Sequence, residues 1–175
     1  MAFPVPKDVR AARDFELIKG IPELLRTDVA IADPTEAFDL GEWVKFSLSS
    51  GQLQASKLEV ADDISAPQLG CKLCWTKYRE DDSWNGQSDV QATKSLTVLS
   101  GVYQAKTMLY NTASAFLAPG YLLIPIYDAT NVRGYLTGVN PAMTPTAAEM
   151  LRVQAAVARS LGVDSDGALW FETIG

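Results

Sequence analysis

The stretch Lys94-Ser95-Leu96-Thr97-Val98-Leu99-Ser100-Gly101-Val102-Tyr103-Gln104-Ala105-Lys106-Thr107-Met108-Leu109-Tyr110 decides the fold class. Apolar and polar residues alternate on both sides of Ser100-Gly101, which predicts strands over 94–99 and 102–110 about a glycine pivot. A short non-strand link follows, and Pro119-Gly120 launches a further run over 121–128. Compact β-barrels and sandwiches turn their chains in this way.

The same period governs the residues before this block. Val44, Phe46 and Leu48 fall on one side of a strand and Trp43, Lys45 and Ser47 on the other, and Ser49-Ser50-Gly51 turns the chain into 52–60. Residues 61–70 read as loop, 71–79 as an apolar and aromatic strand, and 80–89 as a polar stretch in which Trp84 stands alone. After the block, 131–134 read as a turn and 135–139 as a strand. Thr144-Pro145 offers an N-cap and a first-turn proline, with Glu149 close behind, and predicts a short helix to about Arg152. A strand then leads to the turn Asp164-Ser165-Asp166-Gly167 and on into 168–174. Pro125 removes a ladder donor, so the 121–128 strand is expected at a sheet edge or at a bulge.

The N-terminal portion differs. Pro4 and Pro6 fix φ and remove donors, favouring an extended arm over 1–7. Val9, Ala12, Phe15 and Ile18 recur at three-residue steps before Gly20, which predicts an amphipathic helix over 8–19. Residues 21–26 add a turn, 28–32 a short strand and 33–41 a loop. The sum is a mainly β chain: a small antiparallel β-barrel or sandwich over 42–175, preceded by an arm and short peripheral helices over 1–41.

Composition narrows the function. With 15 Lys and Arg against 21 Asp and Glu, the 175-residue chain has a formal charge of −6, which disfavours nucleic acid and anionic lipid as partners. No run approaches the roughly 18 apolar residues of a membrane span, and the first residues lack the pattern of an export signal. Synthesis in the cytosol is the expectation. Histidine is absent, which removes the commonest general base and metal ligand.

The remaining chemical motifs have simpler readings. Cys71 and Cys74 form a CxxC without a second pair, too few ligands for a structural zinc, and in a strand they would face opposite sides. Inert, partly buried cysteines are expected. The acidic groups at Asp62-Asp63, Glu80-Asp81-Asp82 and Asp164/Asp166 could in principle serve as a carboxylate pair or hold calcium, but local turn chemistry accounts for them. No cofactor, metal or catalytic residue is assigned, and the chain is read as a non-enzyme. Among the aromatics, Trp43 lies on the polar phase of its strand and Trp84 in a polar loop, which makes both candidates for an interface.

The Glu42-Trp43-Val44-Lys45-Phe46 strand with its Ser-Gly turn, the block from Ser95 to Thr107, Ala118-Pro119-Gly120-Tyr121-Leu122-Leu123 and Asp166-Gly167-Ala168-Leu169-Trp170-Phe171 together resemble the β-barrel capsid decoration, or cement, proteins of tailed bacteriophages. The resemblance spans roughly 42–175 as a layout of strands and turns. It implies a structural virion protein on the capsid exterior, made in the host cytoplasm, a homotrimer that bridges neighbouring major capsid subunits. Its partners would be the major capsid protein and itself, with no nucleic acid and no membrane. Phe3 and Val5 of the arm, Phe15 of the helix, Trp43, Trp84 and the barrel edge near Pro125 are the contact candidates. Another virion β-domain, from a tail or fibre base, is the alternative. A histidine-free carboxylate hydrolase and a small ligand-binding barrel are competitors of different classes.

Overall fold

The computed structural model describes residues 15–20, 26–33, 35–36, 38–75, 95–130, 133–140 and 146–174. The arm over 1–7, residues 8–14 of the expected helix, the turn at 21–25 and the polar stretch 80–89 lie outside the described residues. The described chain is mainly β, as the alternation predicts, with one short helix.

The strands are β1 (Phe15–Lys19), β2 (Arg26–Ile31), β3 (Trp43–Ser49), β4 (Gln52–Lys57), β5 (Lys72–Cys74), β6 (Ser95–Leu99), β7 (Gln104–Thr107), β8 (Leu122–Asp128), β9 (Arg133–Val139), β10 (Ala158–Val163) and β11 (Leu169–Thr173). They divide between two sheets. A five-stranded closed barrel runs β2-β4-β3-β5-β6, and a six-stranded sheet runs β1-β7-β11-β10-β8-β9. The barrel closes through one parallel pairing, Ala30 with Gln54 and Ile31 with Ala55; the other ladders are antiparallel. Both β1 and β2, which precede residue 42, are hydrogen-bonded into these sheets.

Three apolar clusters fill the spaces this arrangement creates. Val29, Ile31, Phe38, Val44, Ala55, Cys74, Leu96 and Val98 pack together within the barrel. Trp43, Leu73 and Leu99 from the barrel strands meet Phe15, Leu123, Leu136 and Phe171 from the sheet in the largest core. On the other face of β8 and β9, Ile124, Ile126 and Val139 pack with Ala155. Strand alternation explains the split: neighbours such as Trp43 and Val44, or Leu73 and Cys74, go to different cores.

Several expectations are corrected here. The strand expected over 102–110 is confined to Gln104–Thr107. β6 belongs to the barrel and β7 to the sheet, so Gly101 (φ 88°) turns the chain from one sheet into the other. Phe15–Lys19 is a strand rather than the end of a helix. Phe15 is buried, Ile18 exposed, and pairing with β7 through Phe15–Thr107 and Leu17–Ala105 overrides the three-residue spacing. The strand over 71–79 is described only to Trp75, with β5 ending at Cys74.

Other readings hold. Ser50 (φ 51°) and Gly51 (φ 80°) make the two-residue β3–β4 turn, both in the left-handed region such hairpins require. The helix α1 (Ala147–Gln154) starts two residues later than expected: Thr146 is the N-cap and forms a capping box with Glu149. Asp164–Gly167 turns β10 into β11, with a register shift between Ser160 and Gly162.

Pro125 meets the edge half of its expectation only locally and the bulge half not at all, since the β8–β9 ladder runs through it without a register shift. β8 is interior in the strand order, but β10 pairs with it only at Leu122 and Leu123, so Pro125 lies beyond that pairing. The Leu123 carbonyl accepts from the Val157 N–H and the Tyr127 N–H donates to the Asp62 carbonyl, both away from β9. Alternation puts the donorless nitrogen of Pro125 on that same side, where it costs the β8–β9 ladder nothing.

Candidate interaction surface

The β3–β4 hairpin is longer than the strands beside it. β3 pairs with β5 only at Trp43 and Val44, and β4 pairs with β2 only at Gln54 and Ala55. The hairpin therefore continues past the barrel rim as a two-stranded ribbon. Leu48 and Leu53 stand directly opposite each other near its tip and are 74% and 50% exposed. Residues 46–56 carry no charged side chain, in a chain of net charge −6. Among the described residues no strand pairs with the outer edges of this ribbon, and an uncharged edge with a cross-strand leucine pair is a ready surface for another protein.

Two lysines, Lys45 and Lys57, hold the base of the ribbon through ion pairs. Lys45 reaches Asp62 at 2.9 Å and Glu59 at 3.3 Å. Burial works to lower the Lys45 pKa, but hydrogen bonds to Asp62 and Glu59 outweigh it and hold the ammonium above its ordinary value. Asp62 also accepts from the Glu59 N–H at 2.7 Å, and its carbonyl accepts from Tyr127 of β8, so the loop after β4 links the ribbon to the sheet. On the other side, fully buried Glu42 lies 3.4 Å from Lys57 Nζ and accepts from the backbone N–H groups of Asp39 (3.1 Å) and Gly134 (3.4 Å). Burial pushes the Glu42 pKa up to about 7 against the opposing pull of Lys57 and of the two N–H donors.

The sequence-based contact candidates lie elsewhere. Trp43 is 2% exposed and packs against Phe171 at 6.2 Å between ring centroids. Phe15 is buried beside Trp75, and Pro125 is buried in β8. Phe3, Val5 and Trp84 lie outside the described residues. The polar phase assigned to Trp43 is outward from the barrel, and the six-stranded sheet covers that side. Leu48, on the side of the strand that carries Val44 and Phe46, is exposed because among the described residues no neighbouring strand reaches its level. The signal available in the sequence was the charge-free run from Phe46 to Ser56.

The other motifs are structural. Cys71 lies in the core between barrel and sheet and Cys74 in the barrel core, so the two thiols face apart as expected for a strand. Asp164 accepts from the N–H groups of Asp166 and Ala168, both at 2.9 Å, and from the Trp170 indole at 2.8 Å. Those bonds fix a turn, and they hold its pKa below the usual carboxylate range. Side chains, Phe38 and Leu96 among them, occupy the barrel interior. Among the described residues no helix is long and apolar enough to cross a membrane.

Fold and surface together describe a two-sheet β protein with a charge-free, leucine-bearing ribbon projecting from its barrel. The chain matches no family model, no curated protein and no solved structure.

Proposed function

We propose that this chain is a structural virion protein that decorates the outside of a tailed-phage capsid and stabilises it by bridging neighbouring major capsid subunits. The projecting ribbon with its exposed Leu48–Leu53 pair is the observation that carries the reading. Burying the exposed parts of both leucines against a partner supplies on the order of 2–4 kcal/mol. A trimer would present three ribbons, and linked weak contacts then give firm attachment through effective concentration. Any molecule that binds only the assembled shell shifts assembly toward the shell by mass action. The negative net charge suits a position away from packaged nucleic acid.

The packed barrel interior supports a binding or structural module over a ligand-carrying barrel. The test is mass-determining light scattering on the purified chain, followed by sedimentation with undecorated, tailless shells. A trimer that pellets with shells is the expected result. A monomer that stays in the supernatant overturns the proposal, and pelleting with isolated tails alone would move the protein to the tail or fibre base.

A further inference from the structure

Away from the ribbon, the start of β9 forms one wall of a hollow of about 250 Å³, lined by Arg133, Tyr135, Asp128, Thr130, Asn111 and Thr112. Arg133 Nε is buried and has no hydrogen-bond partner, and its guanidinium has no ion pair. A buried N–H without an acceptor is costly, because it loses its interaction with water and gains nothing in return. Tyr135 lies two residues along the same strand, on the same face as Arg133. Among the described residues, the phenol of Tyr135 and the hydroxyls of Thr112 and Thr130 make no hydrogen bond.

The donors of neighbouring groups are already engaged. The Asn111 amide donates to Thr137 at 3.3 Å, and its oxygen accepts from the Ala113 N–H at 3.0 Å. Asp128, directly across the ladder from Arg133, has partners of its own: its Oδ1 accepts from the Thr130 N–H at 2.9 Å. The hollow therefore presents one cation and three hydroxyls, with the Asp128 carboxylate on its wall, to whatever enters it. We propose that this hollow is a carboxylate-binding site, with the Arg133 guanidinium as the anchor and Tyr135, Thr112 and Thr130 as hydrogen-bond donors. The planar fork of an arginine matches a carboxylate, and the single charge of a carboxylate is favoured over a dianion because Asp128 lies on the wall.

A carboxylate can arrive as a free small acid or as the side chain of another protein, and the experiment has an arm for each. Backbone amide resonances of the full chain are followed by NMR during titration with sodium acetate and, separately, with N-acetylglutamate N-methylamide. Sodium chloride at matched ionic strength is the control. The expected result is saturable shifts confined to residues around Arg133, Tyr135 and Thr130. Tighter binding of the glutamate derivative identifies a protein side chain as the ligand, and equal binding identifies a small acid. Arg133→Gln should weaken either interaction about tenfold or more, the loss of one charged hydrogen-bonding partner. Tyr135→Phe, which keeps the ring, should weaken it less. Shifts that do not saturate, that chloride reproduces, or that survive Arg133→Gln overturn the site. These outcomes are independent of whether the ribbon binds a capsid.

Discussion

The carboxylate of Glu42, at the rim of the barrel, accepts a hydrogen bond from the backbone N–H of Gly134, 92 residues further along the chain in the six-stranded sheet. That contact joins the two sheets, and it does so through a buried acid whose pKa is displaced to about 7. Since the unfolded value is near 4.5, the folded state holds a proton that the unfolded state has lost between those two values. Glu42 therefore favours folding most strongly below about pH 4.5 and loses that contribution as pH rises through about 7. The loss is about 3 kcal/mol.

Glu42→Gln removes this titration. Denaturant unfolding at a series of pH values should show wild-type stability falling from about pH 5 to about pH 8, and a flatter profile for the variant, with a gain in stability at the alkaline end. Glu36, raised by burial, contributes a slope of the same sign and remains in both proteins. Equal slopes for the two proteins would remove Glu42 as the source.

Gly134 is required by space. A Cβ there would stand 2.2 Å from the carbonyl oxygen of Trp43 and 2.9 Å from Leu58. The nearest obstacle is backbone, so barrel and sheet would have to part. Gly134→Ala should cost at least about 2 kcal/mol of unfolding free energy, whereas alanine at Gly162, where the nearest atom is 3.4 Å away on Pro119, meets no comparable clash but is strained by φ 110°.

Trp43 tests whether the sheet covers the barrel wall. Trp43→Ala should cost about 3–5 kcal/mol, as for a large side chain removed from a packed core. Its indole N–H is buried without a partner, so Trp43→Phe, which deletes that donor and keeps a ring, should cost only about 1–2 kcal/mol. An alanine variant of near wild-type stability in urea unfolding would return Trp43 to the surface.

The thiols should be silent in the native state. Neither is in a disulfide and both are buried, and burial, with Asp62 nearby, pushes the Cys71 pKa up to about 12. A thiol-reactive chromophore at pH 8 should report no reaction until denaturant is added and then two groups per chain. Immediate reaction of either cysteine would show that its core opens readily.

Strand phase was legible in the sequence to the extent that alternation depends on one face of one strand. Val44 and Leu96 fall into the barrel core as their pattern requires. Trp43 could not be placed, because its exposure is decided by a sheet built from residues far along the chain, and alternation says only that it faces away from Val44. The pivot at Gly101 was visible as a turn, but pairing is a long-range property, and β6 and β7 find their partners in β2 and β5 and in β1 and β11. Phe15 was misassigned because five residues are too few to separate a period of two from steps of three when the deciding partner is distant. The ribbon was hidden for a related reason: the exposure of Leu48 follows from where neighbouring strands stop.

The central claim is that the ribbon docks the protein onto a shell. The most direct measurement is co-sedimentation with undecorated phage shells, comparing wild type with the double variant Leu48→Glu, Leu53→Glu, and with unfolding curves confirming that both are folded. Docking through the ribbon requires saturable pelleting of the wild-type chain and at least about a hundredfold loss of affinity in the variant, since two leucines buried on docking are replaced by charges. A wild-type chain that ignores shells, or a folded variant that pellets equally well, contradicts it.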